Sequence, residues 1–191
     1  MLFWAGLGLA LFGKELIKAL ALNPDYWLAY TIVPYIILGY IFSGARSILN
    51  LGLYLKKKTS YIAYNTIGAM VLNIGLNFIL IPKYKMIGAA VATVISFIAL
   101  YFATYFVANR FYKIPYENMK LLKMLVLSII LFFFSTLTAN LNILPRILIK
   151  VALIISFPLI LYPMKFYEPI EILRIKQSWQ KWKNPKKWRK I

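Results

Sequence analysis

The chain has 191 residues, 62% of them hydrophobic and 15% charged, with a mean hydropathy of +0.72 and a formal net charge of +18. Soluble domains sit nearer half apolar and a quarter charged, so composition marks a membrane protein, long enough for about six spans of roughly 20 residues. Without cysteine or histidine it has no disulfide, thiolate chemistry, cysteine metal site or histidine general base. The predicted fold is all-α: a polytopic membrane helical bundle of about six transmembrane helices over residues 1–164, followed by a basic tail over 165–191.

The first apolar run covers residues 1–22. It is not a signal peptide, because no basic residue precedes it and Lys14, Glu15 and Lys18 interrupt its second half. It reads as a span whose two lysines snorkel outward. Asn23-Pro24-Asp25 signals a loop and a helix start. The second run, 26–55, is long enough to tilt or kink, and Pro34 is placed to bend it. Tyr26, Trp27, Tyr30 and Tyr35 form an aromatic cluster at its outer end, suited to the membrane interface or to sugar stacking.

The third run, 61–81, stops at Pro82, and the fourth covers 86–107. A basic loop from Arg110 to Lys123 precedes the fifth, 124–139, and the sixth covers 147–164. In the tail, Ile172, Ile175, Trp179 and Trp182 share one helical face between lysines, suited to lying along the inner leaflet.

With six spans the loops alternate sides. One side collects Lys56, Lys57 and Lys58, then Arg110, Lys113, Lys120 and Lys123, then nine basic residues from Lys165 to Lys190. The other side has only Lys14, Lys18, Lys83, Lys85, Arg146 and Lys150. This bias places both ends in the cytoplasm of a multi-pass protein of a cell membrane. The charge suits anionic membrane lipids better than nucleic acid, since nothing resembles a folded nucleic-acid-binding module.

No paired carboxylates, phosphate loop or metal-spaced cluster is present, so the sequence calls for no catalytic site, no metal and no cofactor. The chemistry that remains is polar and sparse. Asn65, Asn73 and Asn77 fall on one face of the third span, at i, i+8 and i+12. Amides there serve either interhelical hydrogen bonding or a hydrophilic path. Arg46 is the one charge well inside an apolar run, with Ser43, Ser47 and Asn50 around it. It either snorkels toward the nearby lysines or faces a cavity.

From Asn73 to Ser96 the chain reads NIGLNFILIPKYKMIGAAVATVIS. An Asn-x-x-x-Asn helix (Asn73, Asn77) runs into Ile81-Pro82. A basic-aromatic turn follows (Lys83, Tyr84), and the next helix opens Gly88-Ala89-Ala90 with Ala92 and Thr93. This combination resembles the second-half signature of the polysaccharide flippases of the multidrug/oligosaccharidyl-lipid/polysaccharide exporter superfamily. In that family a glycine commonly follows the tyrosine of the turn; here the residue is Lys85. The likeness is loose from Leu2 to Met164 and specific over residues 73–96.

The resemblance implies the last six spans of a fourteen-span, two-bundle exporter, a fragment or one part of a split protein. Its expected partners are membrane lipids, a lipid-linked oligosaccharide and the missing N-terminal helical bundle, in a bacterial or archaeal cytoplasmic membrane. The substrate-path candidates are then Arg46, Ser47, Asn50, Asn65, Asn73 and Asn77, with Arg46 suited to a pyrophosphate. Two other functions stay open: a multidrug or ion-coupled exporter of the same superfamily, and a noncatalytic membrane subunit or inactive remnant. Glu15, near the end of its run, is the one carboxylate available for coupling, which weighs against cation coupling. The short turn at residues 82–85 also predicts antiparallel neighbours that pack through Gly88 and Ala92, with at least one asparagine facing inward.

Overall fold

The computed structural model describes residues 2–111, 118–138, 141–162 and 173. Among them every regular element is helical: α1 (Leu2–Leu20), a 3-10 helix (Pro24–Thr31), α2 (Val33–Leu55), α3 (Thr59–Phe111), α4 (Asn118–Leu137) and α5 (Ile143–Leu161). The tail and its proposed amphipathic face lie outside the described residues, apart from Leu173. Four helices, Val33–Leu55, Thr59–Phe111, Met119–Leu137 and Ile143–Leu161, are long and apolar enough to cross a membrane. Many large apolar side chains point outward, as they do where lipid replaces water. The protein is therefore membrane-embedded. α1 is as apolar on average, but Lys14, Glu15 and Lys18 place three charges within its 19 residues.

α1 presents Phe3, Leu7 and Leu11, at four-residue spacing, to a core shared with Ile41, Leu127, Leu131, Phe157 and Leu161. It thus touches α2, α4 and α5. Trp4 Nε1 donates to the Ile154 carbonyl of α5 at 3.0 Å. Gly13 lies against Val33, Gly6 against Ile37 and Gly44 against Leu2, so α1 and α2 run antiparallel at close range.

The sequence between α1 and α2 behaves as its turn residues dictate. Asn23 Oδ1 accepts the Asp25 amide at 3.0 Å, and Pro24 opens the 3-10 helix. Pro34 does not bend a long second span. The 3-10 helix precedes it, and Pro34 sits in the first turn of α2, where its missing N–H lacks an intrahelical acceptor anyway. Lys14 and Lys18 do not simply reach outward. Lys14 lies 5.5 Å from the Tyr30 ring and Lys18 4.7 Å from the Trp27 ring, so the aromatic cluster holds both ammonium groups.

α3 is a helical hairpin. Its first arm, 59–84, continues through Pro82, so the proline does not end it as expected. The chain reverses at Lys85, with φ 50° and ψ −127°. The second arm, 86–111, returns until the Phe111 ring lies 5.1 Å from that of Tyr61. Gly88 is required at the reversal, because a Cβ there would run into the Leu80 carbonyl. Beyond it Ala92, Ser96, Leu100, Thr104 and Ala108 are all buried, a stripe four residues apart. The second arm packs on α2, where Gly39 faces Val94 and Phe97. Leu49 and Leu53 of α2 enclose Ala108, with Ile62 of the first arm beside them.

Candidate functional site

The hydroxyls of this region turn inward on their own helices. Thr93, Ser96 and Thr104 each donate to the carbonyl four residues back, at 3.0, 2.8 and 2.8 Å, as hydroxyls do where no water reaches. Arg46 instead reaches from α2 to the first arm of α3, and with Asn50 of α2 and the amides of that arm it makes up a polar seam. Arg46 projects from α2, and its Nη1 donates to Thr66 Oγ1 at 3.3 Å. Thr66 in turn donates to the Ile62 carbonyl at 2.7 Å. Arg46 is thus engaged with the neighbouring helix, about two and a half turns before the end of α2.

Asn50, one turn further along α2, is only 7% exposed. Asn65, beside Thr66, is half-buried, as are Asn73 and Asn77. Asn77 Nδ2 donates to Asn73 Oδ1 at 3.0 Å, so these two amides pair along one helix and not across an interface. Ser47 stands apart: it is exposed, and its hydroxyl faces the Ser43 carbonyl at 3.4 Å. The face from Asn65 to Asn77 extends about 18 Å along the arm at 1.5 Å per residue. Four buried atoms, two from α2 and two from this arm, have no hydrogen-bond partner in the protein: Arg46 Nε, Asn50 Oδ1, Asn65 Nδ2 and Asn77 Oδ1. Two are donors and two acceptors. Native structures rarely leave such atoms unmatched, and each asks for a reason.

A second polar centre escaped the sequence reading. Glu15 of α1 meets α5, where Lys150 Nζ donates to both carboxylate oxygens at 2.8 Å and Arg146 Nε lies 3.2 Å from Oε1. Lys150 is 6% exposed, and its Nζ also lies 5.6 Å from the Phe12 ring. The usable signal was that Glu15 falls near the C-terminal end of the first run and Arg146 and Lys150 near the start of the last, the same side in a six-span topology.

Two apolar crevices, of about 430 and 410 Å³, flank the contact of Phe3 with Ile41. The first lies between α1, α2 and α4, with Thr31, Tyr35 and Ser128 as its hydroxyl-bearing residues. The second lies between α2, the second arm of α3 and α4, bordered by Tyr101 and Tyr105. Neither is lined by a substrate-path candidate, although Tyr35 of the aromatic cluster borders the first. No protein family, curated protein or solved structure matches the chain.

Proposed function

We propose that the chain is the C-terminal portion of a membrane flippase or exporter for lipid-linked oligosaccharide or polysaccharide precursors. It acts with a second helical bundle and has no enzymatic step. α1, α2, the two arms of α3, α4 and α5 serve as six spans, and both ends are cytoplasmic. The observation that carries this reading is the α2–α3 seam. Its unmatched donors and acceptors suit a hydroxyl-rich headgroup, and Arg46 beside them suits a phosphate. The substrate class is what the resemblance over residues 73–96 implies. Transport by rocking needs two bundles around the substrate, so this chain supplies one side of the path.

The ion-coupled exporter is less well supported, because Glu15 is held by two cations and is poorly placed to carry a third. A noncatalytic subunit predicts that the seam has no effect on transport.

The test replaces Arg46 in the cell that encodes the chain. Arg46→Ala should lower surface polysaccharide and accumulate lipid-linked precursor at unchanged protein level. Arg46→Lys keeps the charge, loses the fork and should fall between. Normal export in both variants sinks the reading, and altered drug resistance without precursor accumulation favours the multidrug alternative. Orientation is tested separately in this cysteine-free chain: Lys57→Cys should resist a membrane-impermeant thiol reagent applied to intact cells, and labelling there overturns it.

A further inference from the structure

The cluster that joins α1 to α5 carries a charge surplus. Glu15 supplies one negative charge, and Arg146 and Lys150 supply two positive ones. Lys150 is almost wholly buried, and Arg146 is partly so. Among the described residues Glu15 is their only acidic partner. The other cations at this end of α1, Lys14 and Lys18, lie over aromatic rings of the 3-10 helix. A buried charge is tolerated when it is paired and hydrogen-bonded, and one carboxylate cannot neutralise two cations. Arg146 also carries an unmatched donor. Its Nε is buried and close to Glu15, yet makes no aligned hydrogen bond.

A guanidinium and an ammonium together, short of one negative charge, match a phosphate group: the fork binds two oxygens and the ammonium acts as a point charge. We propose that Arg146 and Lys150 form a phosphate-binding site in which Glu15 is a tethered carboxylate competing for the same donors. The site is distinct from the Arg46 seam. α1 and α2 run antiparallel, with Gly44 against Leu2 and Gly13 against Val33. Glu15 therefore lies at the opposite end of the pair from Arg46, about 20 Å away along α1 at 1.5 Å per residue. The proposal does not depend on the flippase reading. The phosphate comes either from solution or from a phospholipid headgroup.

The experiment follows unfolding of the purified full chain by tryptophan fluorescence. One arm adds inorganic phosphate to protein in phosphatidylcholine nanodiscs, with chloride at equal ionic strength as control. The other replaces phosphatidylcholine by phosphatidylglycerol. Phosphate or phosphatidylglycerol should raise the melting temperature, and the arm that responds identifies the source. Arg146→Gln and Lys150→Met should abolish the rise. Glu15→Gln removes the competitor and should bind the anion about tenfold more tightly, the scale of one charge-assisted hydrogen bond. Should Glu15→Gln not fold, Glu15→Asp, whose shorter carboxylate retreats from both cations, should show a smaller gain in the same direction. If neither anion changes the wild-type transition, or if the Glu15 variants fold and gain no affinity, the cluster is only a staple between α1 and α5 and the proposal fails.

Discussion

The α1–α5 contact and the α2–α3 contact treat buried polarity in opposite ways. On the first, charges from residues 135 positions apart meet at 2.8 Å, and the Phe12 ring lies 5.6 Å from the Lys150 ammonium. On the second, one guanidinium and a row of amides make few bonds and leave four buried atoms unmatched. A charge cluster of that kind gives a joint with one favoured geometry, because separating it exposes bare ions to a poor solvent. A loosely matched amide face tolerates a change of partner at little cost. The first contact is therefore suited to holding helices together with the anion proposed to complete its charge, and the second to meeting a neutral, hydroxyl-rich group that comes and goes.

The largest expected effect breaks the first contact. Glu15→Gln strands the buried Lys150 and the partly buried Arg146 and should destabilise the protein by on the order of 3 kcal/mol. Lys150→Met leaves Glu15 with Arg146, a balanced pair, and should cost less, although it removes the shorter interaction. Unfolding in detergent in phosphate-free buffer measures both. If Lys150→Met proves the more damaging, net charge is not what governs this joint.

A middle-sized pair of effects sharpens the contrast, since the α3 hairpin rests on backbone geometry and not on charge. Gly88→Ala pushes a methyl into the Leu80 carbonyl and should cost about 1–3 kcal/mol, the range for overpacking. Lys85→Gly relieves a positive φ at a residue with a Cβ and should stabilise by about 1 kcal/mol. Both shifts, read from thermal unfolding, should be insensitive to salt, whereas that of Glu15→Gln should respond to it. A salt-dependent Gly88→Ala would show that the two contacts are not separable.

The sequence made one of these regions far more legible than the other, for a physical reason. Helical periodicity links residues a few turns apart. It therefore grouped Asn65, Asn73 and Asn77, and the small-residue run at Gly88, Ala92 and Ser96, which the structure extends to Ala108. Hairpin connectivity likewise foretold that the two arms of α3 lie antiparallel. Proline positions were less informative. Pro34 starts a helix where a bend was expected, and Pro82 lies inside one, because a proline excludes a backbone donor without saying which neighbouring turn absorbs the loss. Nothing local connects Glu15 with Lys150. Only the packing of α1 on α5 brings them together, and two helices far apart in sequence can pack in many rotations.

The smallest effect concerns the amide pair. Asn77 donates to Asn73, and the Asn77 carbonyl oxygen is already unmatched. Asn77→Ala removes that unmatched oxygen together with the donor and leaves Asn73 Oδ1 without this bond. Asn73→Ala instead leaves both ends of the Asn77 amide without a partner. Hydrogen bonds in membranes average about 0.6 kcal/mol, so both losses should be small, with Asn73→Ala the larger. A double-mutant cycle in detergent measures the coupling. Function should rank them the other way. If the seam receives a headgroup, the open oxygen of Asn77 is the atom available to it, and Asn77→Ala should depress precursor export at unchanged folded protein level. Asn73, whose oxygen is occupied, should matter less for export than for stability. Equal export in both variants would make the amide face a packing surface and remove the contrast between the two contacts.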